Sequence, residues 1–421
     1  MKAYLASLLN HKLTKNISSL LFIQVANFII PLLIIPYVTR VVGIENYGRL
    51  EYATIFILYF TVAINYGFNI TITREISINR DSLEKLNKIV SKTYCAKLLL
   101  LCISTIIFYI FLKWDDSLQD ITKLLWVTFL INIGHFIFPL WYYLGIEKIA
   151  KIAYINFFVK IGILGAVILL LKSKEDYFLY NLFLSIAQIA SGLIVVALMF
   201  KKHNIKIVKV SIKDLIETYR SGFKVFASTI LVTFFASYAF VLLKDFATEE
   251  ELGIFSTANK ITMTLQALIL LPFSQAFFPH IAKIALSNIQ KFTKQITLVA
   301  IVLILCTLSA ALVIHVFAKE IILLVFGESF LNSTNALKVY IFLPVLSTLT
   351  NLFAYQGLLS LHKDKLFLKI HIVFTICIIA TSYLVIPSFG AMGAIYLRII
   401  SEGLLMICSL FFLWKVLKQI R

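Results

Sequence analysis

The sequence predicts an all-α integral membrane protein, with about twelve transmembrane helices in two six-helix lobes around a central cavity. Three observations predict it. Of 421 residues, 60% are hydrophobic and only 14% are charged, and the mean hydropathy is +0.93, too little polarity to cover a soluble body of this size. The apolar residues fall in continuous runs of about 20, the length that crosses a hydrocarbon core of about 30 Å. Most of the 39 lysines and arginines fall in alternate connections between those runs, which orients the chain with both termini in the cytoplasm.

The first six spans are expected at 17–39, 52–73, 93–112, 124–143, 152–171 and 178–200, and the second six at 222–243, 253–276, 296–317, 336–359, 366–386 and 392–414. A transmembrane β-barrel would instead show alternating segments of about ten residues. Residues 1–16 are polar and the first apolar run is long enough to span, so no cleavable leader is expected. Pro31, Pro36, Pro139, Pro272 and Pro344 lie inside spans, where each removes a backbone hydrogen bond and favours a kink. Gly162, Gly165 and Ala166 read as small residues at a close helix contact.

The halves repeat. Glu45, Tyr47, Gly48, Leu50 and Ala53 match Glu250, Leu252, Gly253, Phe255 and Ala258 at a constant offset of 205, and Pro139 meets Pro344 at the same offset. An even number of spans separates the units, so they share one orientation. The expected lobes are 1–208 and 209–421. Between them Lys201, Lys202, Lys206, Lys209, Lys213 and Arg220 form the most basic loop, read as a linker carrying a surface helix through Asp214 and Glu217. The net charge of +18 reflects topology and attraction to anionic lipid headgroups. No basic domain exists to bind nucleic acid. Cys95, Cys102, Cys306, Cys377 and Cys408 have no metal-ligand or redox spacing and read as packing residues.

Gln24, Asn27, Pro31, Pro36, Tyr37 and the run from Thr39 to Gly43, followed by Glu45, Asn46, Tyr47 and Gly48, resemble the opening of the O-antigen flippases. These are Wzx-type exporters in the superfamily that also holds multidrug antiporters and lipid II flippases. Tyr66-Gly67-Phe68, Thr73-Arg74-Glu75-Ile76, the stretch from Gly253 to Lys260 and Gly390-Ala391-Met392-Gly393-Ala394 extend the likeness along the chain. Two positions depart from the pattern: Asn65, where such proteins often carry an acid, and Arg398, in a stretch they usually keep small or apolar. The resemblance implies transfer of an undecaprenyl-diphosphate-linked repeat unit from the inner to the outer leaflet of a bacterial inner membrane. It also implies membrane lipids, a polysaccharide polymerase and a chain-length regulator as partners. No cofactor is expected.

A diphosphate and its sugars need a wet cavity with cations. Lys160, Lys260 and Arg398 lie about seven or eight residues into their spans, roughly 10 to 12 Å deep, and are the leading substrate-binding candidates. Lys260 stands opposite Ile55 in the repeat, so the duplicated framework does not require a cation there. Lys97, Lys224 and Lys338 lie near span ends, where their stems can snorkel to the interface. Arg40 and Arg74 end the first two spans and are candidates through the family likeness, with interface anchoring as the alternative. Glu402, one helical turn from Arg398, is a charge-pair candidate. His135, His315 and His371 are intramembrane groups able to carry protons, with His135 placed first among them. A small-molecule or drug antiporter of the same superfamily is the alternative function. A membrane glycosyltransferase or polymerase is a weaker one, resting on Asp115 and Asp116 alone. No Gly-x-x-x-x-Gly-Lys-Ser/Thr motif for ATP is present.

Overall fold

The computed structural model describes residues 11–420, and the described residues are helical with no strand. Helices suit this sequence because hydrocarbon offers the backbone no partners, so each span must bond its own amides. In chain order the helices are α1 (His11–Asn65), α2 (Phe68–Asn79), α3 (Leu83–Trp114), α4 (Thr122–Phe129), α5 (Ile131–Ile137), α6 (Leu140–Gly145), α7 (Ile149–Leu170) and α8 (Phe178–Lys202). There follow α9 (Ile212–Phe246), α10 (Glu249–Ser287), α11 (Ile289–Val316), α12 (Ala318–Val325), α13 (Thr334–Tyr340), α14 (Leu343–Thr350), a π-helical stretch (Asn351–Leu359) and α15 (Asp364–Ile420). Eight stretches of the described residues are long and apolar enough to cross a membrane. Bends divide α1 and α15, and α7 and α10 add further crossings, which gives the twelve expected.

Helix packing groups the chain into two compact units, one of residues 1–42 and 49–237, the other of residues 43–48 and 238–421. Hydroxyls and amides fasten the first unit from within. Thr61 Oγ1 donates to Asn132 Oδ1 at 2.7 Å, Asn181 Nδ2 to Thr128 Oγ1 at 2.9 Å, and the Tyr37 hydroxyl to the Leu171 carbonyl at 2.7 Å. Such bonds hold helices together where the hydrophobic effect between them is lost to lipid. In the second unit Gly48 lies against its repeat partner: a Cβ on Gly48 would sit 2.7 Å from Gly253 N, and one on Gly253 would overlap the Ile44 carbonyl oxygen.

The breaks in the long helices have local causes. In α1 the non-helical residue is Gly43, at φ 78 and ψ 174, rather than Pro31 or Pro36. In α15 it is Gly390, at φ 50, where an added Cβ would strike the Glu251 carboxylate; only glycine adopts such angles cheaply. Pro139 and Pro344 behave as their position in the repeat predicts. Helix α5 ends just before Pro139, and Pro344 stands in the first turn of α14. Helix starts are capped where the chain leaves a loop: Ser82 accepts from Lys85 N and Thr248 from Glu251 N. Glu249, Glu250 and Glu251 then sit in the first turn of α10, at its positive pole.

Three expectations are corrected. Asp214 and Glu217 belong to the first turns of α9, not to a separate surface helix, because residues 204–211 form a strap without regular structure. That strap is pinned to α3 by Lys206 N on Asn87 Oδ1 and Val208 N on Ser91 Oγ, each at 2.9 Å. Gly162 and Gly165 make no close helix contact: an added Cβ would meet no described atom within 4 Å. In the first unit small residues make such a contact at Gly134 and Gly192, where α5 and α8 cross with a Gly134 Cβ only 2.7 Å from Gln188. Cys102, Cys306 and Cys377 are exposed, and Cys95 and Cys408 are only half-buried, so the cysteines are not core packing residues. Apolar spacing placed all of these inside spans without saying which face they occupy.

Candidate functional site

Each unit holds a buried polar cluster. In the first unit a cavity of about 450 Å³ opens among α1, α2, α5, α7 and α8. Asn65, Asn69, His135, Asn156, Lys160 and Gln188 supply its main polar lining, and Tyr180 with Ile163, Leu164 and Val167 contributes to its wall. Asn156 and Lys160 are four residues apart on α7 and share one helix face, whereas Asn65 ends α1 and Asn69 opens α2 across the left-handed turn at Tyr66 and Gly67. The close crossing at Gly134 and Gly192 brings α8 against α5 and sets Gln188 beside His135.

Lys97 underlies this cavity. Its side chain is only 1% exposed, and its ammonium donates to the His135 carbonyl at 2.6 Å and to Asn65 Oδ1 at 3.2 Å. The expectation that Lys97 snorkels to the interface is therefore overturned. Its position near a span end permitted snorkelling, but its direction from the helix aims it at neighbouring spans and away from the headgroups.

In the second unit Arg398 Nη1 lies 3.2 Å from Glu402 Oε2, and both residues are buried. Tyr340 comes within hydrogen-bonding reach of Arg398 and donates to Asn259 Oδ1 at 3.5 Å. Tyr355 and His371 lie within electrostatic range of Glu402. Lys260 adjoins Asn259 on α10 and is half-buried, and its carbonyl accepts from Thr264 Oγ1 at 2.7 Å. Thr257 instead turns its hydroxyl to the Gly253 carbonyl.

Of the sequence candidates, Lys160 and His135 meet in the cavity of the first unit, and Arg398 and Glu402 meet in the second. Arg40 and Arg74 are exposed and line neither cluster; Arg40 Nη1 donates to the Pro36 carbonyl one turn back. His315 and His371 are hydrogen-bonded to carbonyls, through Nδ1 to Lys338 at 2.9 Å and to Phe367 at 2.9 Å. Sequence reading missed Asn69, Asn156 and Gln188 as cavity residues. The legible signal was amides lying within otherwise apolar runs, with Asn156 one helical turn from Lys160.

The comparisons add the family. Residues 13–285 match the family described as polysaccharide biosynthesis protein. The chain belongs to that family. Two curated relatives of this polysaccharide biosynthesis protein are named for O-antigen transport. One, from Escherichia coli strain K12, is 26% identical over 85% of this chain and 86% of its own length. The other, from Shigella dysenteriae, is 24% identical over 94% of this chain and 98% of its own length. Among solved structures, the lipid II flippase MurJ in an inward closed conformation superposes with a TM-score of 0.74 at 14% identity, covering 94% of this chain and 87% of that one. An inward-facing multidrug MATE transporter of the MOP superfamily gives 0.72 at 15% identity, covering 95% and 98%. This polysaccharide biosynthesis protein thus has the MOP transporter fold.

Proposed function

We propose that this protein is a flippase for a lipid-linked oligosaccharide. It carries an undecaprenyl-diphosphate-linked O-antigen or capsule repeat unit from the inner to the outer leaflet of the bacterial inner membrane. The observation that carries the reading is the family match together with near full-length relatives named for O-antigen transport. Two six-helix lobes, 1–208 and 209–421, alternate access to a central cavity with both termini in the cytoplasm. By packing, the first unit runs on to Ser237, since the start of α9 lies with it through the Tyr219 hydroxyl on the Ala96 carbonyl. A polysaccharide polymerase and a chain-length regulator act downstream. The chain works as a transporter and not as an enzyme.

Within this reading Lys260, Arg398 and Lys160 are the candidate substrate-binding cations inside the spans, Arg40 and Arg74 are candidates at the interface with anchoring as the alternative, and Glu402 and His135 are ion-coupling or charge-pair candidates. Lys260 is assigned to the diphosphate, since a flexible ammonium at mid-depth suits phosphate oxygens as a point charge. The test is complementation of a flippase-deleted strain. The chain should restore surface polysaccharide, Lys260→Arg should retain it, and Lys260→Met should lose most of it at unchanged protein level. Failure of the unaltered, membrane-inserted chain in strains of matched repeat unit would reject the flippase reading. Normal export by Lys260→Met would reject only the role of Lys260.

A further inference from the structure

The cavity of the first unit is built to present hydrogen-bond donors. An ammonium has three donors and no acceptor, so Asn65 must turn its oxygen toward Lys97, as the 3.2 Å contact shows. Its amide N–H pair is then left to face the cavity it lines. Asn156 repeats the arrangement, with its Oδ1 accepting from Ser191 Oγ at 3.4 Å. One turn along the same face of α7 stands Lys160, which adds a cation. Among the described residues no aspartate or glutamate lines the space. One lysine and two oriented amides around about 450 Å³, a volume within the range of small-molecule sites, make a cationic, donor-rich and largely apolar-walled cavity, with the Lys97 ammonium buried behind Asn65.

A neutral sugar needs acceptors as well as donors, and a cation needs oxygens. An anion needs only donors and positive charge, and both act more strongly away from bulk water. We propose that this cavity binds a carboxylate-bearing ligand, with the carboxylate held by Lys160 and by the amide N–H groups of Asn65 and Asn156. Tyr180, Ile163 and Leu164 cover the remainder of the ligand. Lys97 does not reach the ligand; it is a positioning residue that sets the direction of the Asn65 amide. Two sources offer this chemistry, an acidic sugar of the carried glycan or a free small organic acid. The first source rests on the flippase reading and the second does not.

The experiment is calorimetric titration of the full chain, purified in detergent, with sodium glucuronate, sodium acetate and glucose. Glucuronate should bind saturably and glucose should not. Lys160→Met should weaken glucuronate by about tenfold or more, and Lys160→Arg should preserve binding. Asn65→Asp is the decisive variant. It gives Lys97 a partner carboxylate, removes the amide donors and repels an anion, so binding should be lost while the melting temperature holds or rises. If acetate displaces glucuronate at equal concentration, the site takes free organic acids; if it fails to, the sugar body is read as well. Absence of binding by both acids overturns the proposal, as does binding that persists undiminished in both Lys160→Met and Asn65→Asp. Because the readout is binding by purified protein, its failure is distinct from failure of export in the complementation strain.

Discussion

The two units bury positive charge in different ways. In the first, Lys160 lines a cavity that no carboxylate lines among the described residues, and Lys97 behind it is held by a carbonyl and an amide oxygen. In the second, Arg398 has a glutamate one turn away, at 3.2 Å, with tyrosines around it. A buried pair neutralises itself and can persist as scaffold, whereas a cation lining an open space that no carboxylate lines is better suited to a ligand that brings an anionic group. The comparison separates a charge whose counter-ion the fold supplies, so that Arg398 meets a substrate only when Glu402 releases it, from one offered directly.

The largest effect that can break this comparison lies in the second unit. Arg398→Ala or Glu402→Ala alone leaves a buried partner uncompensated and should cost about 3 to 5 kcal/mol, read as a lowered melting temperature and reduced membrane yield. The double variant should recover most of that loss. If it recovers stability but not export, the pair is more than scaffold, and the contrast between the units weakens.

A smaller effect is expected at the crossing that shapes the first cavity. Gly134→Ala drives a Cβ to within 2.7 Å of Gln188 and should destabilise by about 1 to 3 kcal/mol. Gly162→Ala, in open space, should be neutral or slightly stabilising. Equal effects at both would show that α5 and α8 do not cross as described.

The smallest effect concerns Lys97. Lys97→Met removes a buried charge but leaves Asn65 Oδ1 and the His135 carbonyl without their donor, two terms of similar size and opposite sign. The thermal shift should therefore be well under that of Arg398→Ala. A loss as large as that of Arg398→Ala would mean that Lys97 is structural glue and that the first unit resembles the second.

Several of these features were legible in the chain itself. The breaks at Pro139 and Pro344 followed from proline chemistry and the shared offset, and the pairing of Arg398 with Glu402 followed from four-residue spacing. Lys97 was misread because counting residues to a span end measures depth, while the direction of the side chain depends on which spans surround it. Gly162 and Gly134 show the same limit: both are glycines in apolar runs, and only one has another helix against it.

What the sequence determined alone is what one helix can decide for itself. Hydropathy and backbone satisfaction set the number and length of the spans, the repeat marked equivalent positions, and the motifs pointed to the family. Only the tertiary structure decided which polar groups share a cavity, because that depends on how neighbouring helices are rotated and how closely they cross. Asn65, Asn156, Lys160 and Gln188 come from three separate stretches of chain and meet only after α1, α7 and α8 have packed. No spacing along one helix encodes a meeting between several.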